Sequence, residues 1–420
     1  MTSKKHSEFK TLSLCSLGGA FEYYDFSLFA LMAPVIGQHF FNESIPSIAL
    51  MKTFGIFAAG YFARFLGGFY FSHLGDTTGR KSPFMITLFL MAIPTLGIAI
   101  LPTYEQIGIL APLILLLLRI AQGFALGGEA PCAMAFIHEY ASKNKKCFAM
   151  GLLFGGILFG SFFASLIYTF LNTLIPKAMF DDWGWRIPFA VGGILGIIGV
   201  YLRKNLKESN EFIHCKKSNL LLKVPFLKIF QKHLSKIFIG IIFLLPSSTA
   251  FLYYLLISSK TLETEYHFDP KFIKEVTTLG FFLNAIFGIF FGYLSDKFTA
   301  KKIYILGIIS LCILSSVSHF ILSMGSDTIF LLFIMLLSIN LGACVGSVFH
   351  ILTMMFPIQI RTSSLALALN TTNGLFIGIT PLLLSNIASF TNNNALPGFY
   401  ILTLCLLSLV IIIKFNKKYL

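Results

Sequence analysis

Two acidic side chains, Glu22 and Asp25, lie inside a hydrophobic stretch that runs from about residue 11 to residue 36. A stretch of this length is typical of a membrane-spanning helix, because about 20 residues cross the apolar core of a bilayer. Burying a charged carboxylate there costs about 2.5–3.5 kcal/mol on insertion scales, so such an acid is a candidate functional residue that needs a partner. The best partner in the sequence is Arg119, which lies at a similar depth in a later hydrophobic stretch.

Asp25 and Arg119 together have the chemistry of a proton switch. A nearby cation favours the ionised form of a carboxylate and burial disfavours it, so a change of surroundings can make the acid take up or release a proton. Glu22 precedes Asp25 by three residues and shares its helical face. Glu22 is therefore an alternative proton carrier, a ligand for a cationic substrate group, or a hydrogen-bonding residue between helices. A permanent ion pair that only joins two helices is the alternative for Asp25 and Arg119.

The composition indicates a membrane protein. The 420 residues are 56% hydrophobic and only 12% charged, whereas soluble domains average about 25% charged residues. The net charge of +14 does not favour nucleic acid as a partner, because membrane proteins collect Lys and Arg in their cytoplasmic loops. The sequence has no paired cysteines, phosphate-binding loop or nucleophile motif, so we predict no metal, no cofactor and no enzymatic activity.

Twelve hydrophobic stretches are long enough to span a bilayer. They fall at residues 11–36, 52–74, 83–101, 107–137, 147–173, 186–203, 234–257, 273–295, 303–324, 328–352, 363–388 and 397–413. We therefore predict an all-α membrane protein with twelve transmembrane helices in two six-helix halves. The longest polar interval sets the boundaries, which are an N-terminal bundle at 1–203, a cytoplasmic linker at 204–233 and a C-terminal bundle at 234–420.

Lys and Arg residues are concentrated in alternate loops, in the linker and in both terminal segments. The positive-inside rule then predicts a multi-pass membrane protein with both termini in the cytoplasm. The first stretch has no cleavage site of the small-residue type, so we expect an uncleaved first helix rather than a signal peptide.

The loops at residues 75–81 and 295–302 have related sequences, which indicates an internal repeat of two parallel halves. The motifs that carry a family resemblance are Glu22-Tyr-Tyr-Asp25-Phe, Arg64-Phe-Leu-Gly67-Gly68, Gly75-Asp76-Thr-Thr-Gly79-Arg80-Lys81, Arg119-Ile-Ala-Gln122-Gly123 and Trp183-Gly-Trp185-Arg186-Ile-Pro188-Phe189. On these motifs the chain resembles the major facilitator superfamily. Within it, the chain is similar to the metabolite:proton symporters that include proline/betaine, citrate, α-ketoglutarate, shikimate and dicarboxylate permeases. Thr77 and Ser72 depart from the family pattern, which usually has Arg and Gly there.

The resemblance implies the major facilitator fold and proton-coupled uptake by alternating access, with a small organic acid or zwitterion bound near the midplane. In the sugar-porter branch, an Asp on the first helix and an Arg on the fourth couple protons to transport, and Asp25 and Arg119 occupy the matching positions. We expect a monomer. Three alternatives stay open: an exporter of a metabolite or siderophore, a non-transporting membrane sensor, and a membrane enzyme. Osmosensing relatives carry a coiled-coil tail, so the short tail of this sequence leads us to expect no osmotic activation.

The resemblance also implies a cytoplasmic gate built from charged residues near the loops. The candidate gate residues are Asp76, Arg80, Lys81, Glu129, Glu139, Asp296 and Lys297. Solvated loop charges, worth about 0–1 kcal/mol each, are the alternative. The interiors of the predicted C-terminal spans lack acidic residues, so we expect proton coupling in the N-terminal half. The candidate substrate-lining residues are Tyr24, Gln122, Tyr253, Tyr254, Asn340 and Asn373.

Overall fold

The computed structural model describes residues 2–43, 45–204, 206–257, 259–377, 380 and 395–414. Throughout these residues the regular structure is helical, and they contain no β-strand. The long helices are α1 (Thr2–Phe40), α2 (Pro46–Thr77), α3 (Lys81–Ile100), α4 (Leu110–Tyr140), α5 (Lys146–Leu174), α6 (Arg186–Arg203), α7 (Leu234–Phe251), α8 (Pro270–Phe298), α9 (Ala300–Ser323), α10 (Asp327–Met354), α11 (Arg361–Asn370) and α12 (Leu396–Lys414).

Ten of these helices, all except α1 and α11, are long and apolar enough to cross a membrane, counting only described residues. Helix α1 is 39 residues long and carries Glu22 and Asp25 near its middle, which lowers its hydropathy. Helix α11 continues as a π-helix over Thr371–Ile377, and most of the remainder of the predicted span 363–388 lies outside the described residues. The region 204–233 forms two short helices, Asn210–Lys217 and Pro225–Lys232.

A capping residue and several prolines explain how these helices begin and where they are interrupted. Asp269 precedes α8 and accepts a hydrogen bond of 3.1 Å from the backbone N–H of Phe272, which satisfies one of the free donors at a helix start. Proline residues lie inside α1, α3, α4 and α7. Transmembrane helices tolerate them because neighbouring helices can satisfy the freed backbone groups.

The described chain divides into two compact units. The first unit contains residues 1–139 and 156–225, and the second contains 140–155 and 226–420. In the first unit, α3 packs along α6, and α1 packs against α2 and α6. Helices α2 and α4 approach backbone to backbone, since a Cβ on Gly123 would lie 1.9 Å from the carbonyl oxygen of Gly60. This close approach explains the glycines of the two motifs that begin at Arg64 and Arg119.

In the second unit, α10 packs against α8 and α9, and α12 packs against α7 and α9. The start of α5 belongs to this unit, where Gly151 lies against the backbone of α8 at Gly288. Asp296 at the end of α8 accepts hydrogen bonds of 2.9 and 2.8 Å from the backbone N–H groups of Cys147 and Phe148. A carboxylate at a helix start satisfies free donors and suits the helix dipole.

Candidate functional site

Asp25 lies at the centre of a buried polar cluster in the first unit. Its carboxylate accepts hydrogen bonds from Arg119 Nη1 over 2.8 Å, Gln122 Nε2 over 2.9 Å and Thr95 Oγ1 over 2.8 Å. Asp25 is 4% exposed and Arg119 is 5% exposed. Helices α1, α3 and α4 each contribute to the cluster. This donor set suits an ionised carboxylate, which only accepts hydrogen bonds.

Arg119 has hydrogen-bonding capacity beyond its pair with Asp25. Among the described residues, neither its Nε nor its Nη2 atom has a hydrogen-bond partner. The guanidinium carbon lies 3.6 Å from the centroid of the Phe29 ring, a cation–π contact. The Nη1 atom of this buried cation is therefore bonded to Asp25, whereas its Nε and Nη2 atoms have no acceptor within the described chain.

A small cavity adjoins Asp25 on the side of α3 and α6. It has about 10 Å³ of space for a water-sized sphere, and its walls include Tyr24, Asp25, Thr95 and Gly192. A volume of this size is close to what a single water molecule needs. Asp25 is thus in contact with a space through which a proton could be exchanged by one water molecule.

Glu22 lies one helical turn from Asp25 and is completely buried. Within the described residues, neither of its carboxylate oxygens has a hydrogen-bond partner. Its electrostatic surroundings contain Arg64 of α2, which is the main opposite charge, together with Glu129 and Arg203. Buried polar atoms without hydrogen bonds are rare in folded proteins, and a protonation site is one explanation of them.

A second buried ion pair joins Arg203 of α6 to Glu129 of α4. Arg203 Nη1 donates to Glu129 Oε1 over 2.9 Å, and both side chains are 1% exposed. The same guanidinium donates to the carbonyl oxygens of Leu14 and Cys15 on α1 over 3.2 and 2.9 Å. Thr87 of α3 donates a short hydrogen bond to the other oxygen of Glu129. This one arginine therefore connects helices α1, α4 and α6.

A third cluster lies where α2 and α3 are joined. Arg80 Nη2 lies 3.2 Å from Glu139 Oε1 and 3.4 Å from Asp76 Oδ1, and all three side chains are buried. Ser209, ahead of the helix Asn210–Lys217, donates to the other oxygen of Glu139 over 2.6 Å. Arg80 also stacks on the Phe212 ring, with its Cζ 4.5 Å from the centroid.

The charge balance of this third cluster favours a charged Arg80. Burial lowers the pKa of the guanidinium, but the carboxylates of Glu139 and Asp76 outweigh burial and raise the pKa above its ordinary value. Lys81 belongs to the same junction, where its backbone N–H donates to Glu208 over 3.0 Å and its Nζ donates to the Lys204 carbonyl over 3.0 Å.

The structure thus separates the predicted gate residues into different surroundings. Asp76, Arg80 and Glu139 lie together, and Lys81 is adjacent to them through Glu208. Glu129, which the sequence grouped with them, instead pairs with Arg203. In the second unit, Asp296 caps the start of α5, and Lys297 lies over the ring of Tyr293 with its Nζ 4.6 Å from the centroid.

The predicted lining residues also differ in their surroundings. Tyr24 is 4% exposed and its hydroxyl donates to the carbonyl oxygen of Pro188 over 2.9 Å, so this side chain joins α1 to α6. Gln122 donates to Asp25 and belongs to the buried polar cluster around it. In the second unit, Tyr253 and Tyr254 pack edge to face at 5.0 Å. Asn340 Nδ2 donates to the carbonyl oxygen of Gly307 over 2.9 Å.

Asn373 lies in the π-helix after α11 and is partly buried. Its role as a lining residue stays a prediction. Among the described residues, no cluster of three or more His, Cys, Asp or Glu side chains is arranged to hold a metal ion.

Sequence reasoning missed the roles of Thr95, Arg203 and Ser209. Arg203 ends a hydrophobic stretch, where a basic residue normally indicates a loop charge, and only its contacts reveal a buried partner. Thr95 follows Pro94 in an apolar stretch and carries no sequence signal of its own. A search for polar residues at the depth of Asp25 could have found Thr95.

Comparison with known families gives a match over each half of the chain. A family model described as sugar (and other) transporter matches residues 12–223. A second model, described as major facilitator superfamily, matches residues 237–418.

Several relatives match nearly the whole chain. The chain is 31% identical over 416 residues to the proline/betaine transporter of Escherichia coli (strain K12), covering 96% of this chain and 82% of that protein. It is also 31% identical over 416 residues to the glycine betaine/proline/ectoine/pipecolic acid transporter OusA of Dickeya dadantii (strain 3937), with the same coverage. A putative proline/betaine transporter of Staphylococcus haemolyticus (strain JCSC1435) is 32% identical over 418 residues, covering 96% of this chain and 86% of that protein.

Solved structures show the same fold. The proton:xylose symporter XylE, bound to 6-bromo-6-deoxy-D-glucose, superposes with a TM-score of 0.80 at 15% identity, covering 98% of this chain and 96% of that one. A double-Trp mutant of XylE gives a TM-score of 0.81 at 18% identity, covering 97% and 96% of the two chains. These similarities confirm the predicted architecture of twelve helices in two halves.

Proposed function

The chain belongs to the major facilitator superfamily of membrane transporters, and we propose that it is a proton-coupled symporter for a small zwitterion or organic acid. The observation that carries this proposal is the buried cluster in which Asp25 accepts hydrogen bonds from Arg119, Gln122 and Thr95. A carboxylate that is almost inaccessible and ion-paired to a second helix has a strong effect on helix packing when its charge changes.

Protonation of Asp25 is the coupling step in this proposal. A protonated Asp25 no longer neutralises Arg119, so the guanidinium then has a net positive charge in a buried position. An anionic group of the substrate replaces the lost counter-charge. Proton and substrate therefore favour each other's binding, and this coupling is reciprocal because it is a free energy of interaction between two sites.

Alternating access follows if the outward-facing and inward-facing conformations differ in their affinity for the proton and the substrate, since a ligand shifts an equilibrium only by differential binding. We place Asp25 and Arg119 at the coupling site, with Glu22 as a second carboxylate one turn away. The cluster of Asp76, Arg80 and Glu139 is suited to act as a cytoplasmic gate. Its three side chains are buried together, so their ion pairs would have to break for the loop junction to move.

Two observations support the proposed substrate class, namely the buried cluster around Asp25 and the names of the relatives. Arg119 suits a carboxylate group. The relatives of E. coli and D. dadantii are transporters of proline, betaine and ectoine, by the names they carry. We propose uptake across a bacterial inner membrane, with both termini in the cytoplasm, on the basis of the basic loops.

The test uses purified protein in proteoliposomes with an imposed pH gradient, alkaline inside. Radiolabelled glycine betaine, proline, citrate, α-ketoglutarate and shikimate are offered in turn. We expect accumulation of one or more zwitterions, and its loss when a protonophore collapses the gradient. The Asp25→Asn variant should lose accumulation but retain exchange of labelled for unlabelled substrate, because exchange needs no net proton movement.

The matched control is Glu105→Gln, which also replaces an acid by its amide but at an exposed position between α3 and α4. This variant should accumulate substrate as the wild type does. Full gradient-driven accumulation by Asp25→Asn would contradict the coupling assignment. Accumulation only when the gradient is reversed would instead indicate an exporter.

A further inference from the structure

Arg119 presents an unused hydrogen-bonding edge in the first unit. Asp25 occupies Nη1, and among the described residues Nε and Nη2 have no acceptor. The Nε–Nη2 edge of a guanidinium carries parallel N–H groups that match a carboxylate in a bidentate pair. Leaving such donors buried without an acceptor is costly, so this edge is prepared for an anionic ligand.

The first unit also contains an aromatic patch, which we define as Phe26 of α1 with Phe57 and Tyr61 of α2. The ring centroids are 4.9 Å apart for Phe26 and Phe57, 5.4 Å for Phe57 and Tyr61, and 5.6 Å for Phe26 and Tyr61. All three rings are partly exposed. Part of the patch surface is therefore available to a ligand.

Phe29 connects the cation to the patch. The Arg119 guanidinium carbon lies 3.6 Å from the Phe29 ring centroid. The Phe29 ring is stacked on the Phe57 ring at 5.9 Å, with an angle of 6° between their planes. Arg119 and the aromatic patch thus both contact the Phe29 ring, which places the cation and the partly exposed rings in one region of the first unit.

The two features attract opposite charges. The face of an aromatic ring is electrostatically negative and attracts cations, and quaternary ammonium groups are commonly recognised by sets of such rings. Two charged groups lie near Tyr61, Arg64 of α2 and Glu22 of α1. An ionised Glu22 would partly offset the repulsion that Arg64 exerts on a cationic ligand.

We propose that the first unit binds a zwitterion at two points, with its carboxylate on the Nε–Nη2 edge of Arg119 and its ammonium group on the aromatic patch. This proposal rests on the proposed transport function and specifies the substrate as a quaternary or fully substituted ammonium carboxylate. The two-point arrangement selects zwitterions over dicarboxylates, because a second carboxylate would be repelled by the ring faces. It also selects them over simple ammonium ions, which leave the Arg119 edge without an acceptor.

The test measures equilibrium binding of radiolabelled glycine betaine to the purified full-length protein. The competitor is tert-butylacetate (3,3-dimethylbutanoate), the carbon analogue that has the same shape and carboxylate but a neutral carbon in place of the ammonium nitrogen. We expect wild type to prefer glycine betaine. The variants Tyr61→Leu and Phe57→Leu should each weaken glycine betaine binding by about 5- to 30-fold, and they should reduce the preference over the analogue by the same factor.

The matched control is Phe62→Leu, the same substitution at an exposed ring of α2 that lies outside the patch. It should change glycine betaine binding by less than about 2-fold. If Tyr61→Leu or Phe57→Leu does not fold, Phe26→Leu tests the same patch from α1. Choline, which has the quaternary ammonium but no carboxylate, should bind weakly to the wild type and to all the variants.

Equal binding of tert-butylacetate and glycine betaine by the wild type would overturn the proposal, as would Tyr61→Leu and Phe57→Leu variants that keep the wild-type preference. Proton-driven accumulation of a dicarboxylate that is unaffected by Tyr61→Leu would also overturn it, while leaving the proposed symport intact. Conversely, a ring-dependent preference for glycine betaine in a protein without proton-driven accumulation would support the two-point site and contradict proton coupling.

Discussion

The guanidinium of Arg203 fills the space beside Gly18, so that a Cβ at Gly18 would lie 1.4 Å from Arg203 Nη2. Any side chain at Gly18 would therefore displace the arginine. That arginine is the group that pairs with Glu129 and bonds to two carbonyl oxygens of α1. The buried ion pair between α4 and α6 therefore requires a glycine at position 18 of α1.

Replacing Gly18 by alanine should destabilise the protein. The added methyl group must displace Arg203, and disrupting a buried ion pair costs up to about 3–5 kcal/mol. Thermal unfolding of the purified protein in detergent measures the effect. The control is Gly55→Ala in α2, where an added Cβ meets no atom within 4 Å. The control should be stabilised by about 0.5–1 kcal/mol, because alanine is the better helix former, and equal stability losses in the two variants would contradict the contact.

The Glu129–Arg203 pair should behave as a coupled pair. Glu129→Gln leaves Arg203 charged and buried without its carboxylate, so we expect a loss of about 3–5 kcal/mol. Arg203→Met alone leaves the opposite charge unbalanced. The double variant should lose less than the sum of the two single variants, because neither charge remains. Unfolding of all four proteins forms a double-mutant cycle, and strict additivity would indicate that the pair contributes no interaction energy.

The sequence predicted the fold and the contact between Asp25 and Arg119, and it grouped Asp76, Arg80 and Glu139 correctly while wrongly adding Glu129 to them. Asp25 and Arg119 could be paired because each charged residue lies deep in an apolar stretch, where it is costly without a partner. Their depths along two helices follow from the rise per residue. The structure brings Arg119 Nη1 within 2.8 Å of Asp25 Oδ2, so depth alone identified the correct contact.

The cluster around Glu129 could not be predicted in the same way. Arg203 lies at the end of an apolar stretch, where membrane proteins commonly have a loop cation, and no rule of spacing connects residues 74 positions apart. Its burial depends on Gly18 and on the packing of α1 against α6. The aromatic patch was missed for a similar reason, since Phe57 and Tyr61 are two of many aromatic residues in a chain that contains 47 Phe and 15 Tyr.

Arg80 should be essential for the stability of the junction between α2 and α3. Replacing it by alanine leaves Asp76 and Glu139 buried without their shared cation, so we expect a loss of about 3–5 kcal/mol in thermal unfolding. Arg80→Lys restores the charge but not the planar group that stacks on Phe212, and it should recover only part of the loss. The exposed Lys207 provides the control, since Lys207→Ala should stay within about 0.5 kcal/mol of wild type. A similar small effect for Arg80→Ala would mean that the cluster contributes little.

Glu22 distinguishes two versions of the coupling mechanism. Its carboxyl is fully buried, and none of the described residues forms a hydrogen bond with it, so Glu22→Gln breaks no hydrogen bond within that part of the chain. The amide also resembles the protonated acid in shape and charge, and we therefore expect unfolding within about 1 kcal/mol of wild type. If Asp25 alone carries the coupled proton, Glu22→Gln should still accumulate substrate in response to a pH gradient, whereas Asp25→Asn should not. If Glu22→Gln loses accumulation but retains exchange, only net proton movement is impaired. That result would indicate that Glu22, rather than Asp25 alone, carries the coupled proton.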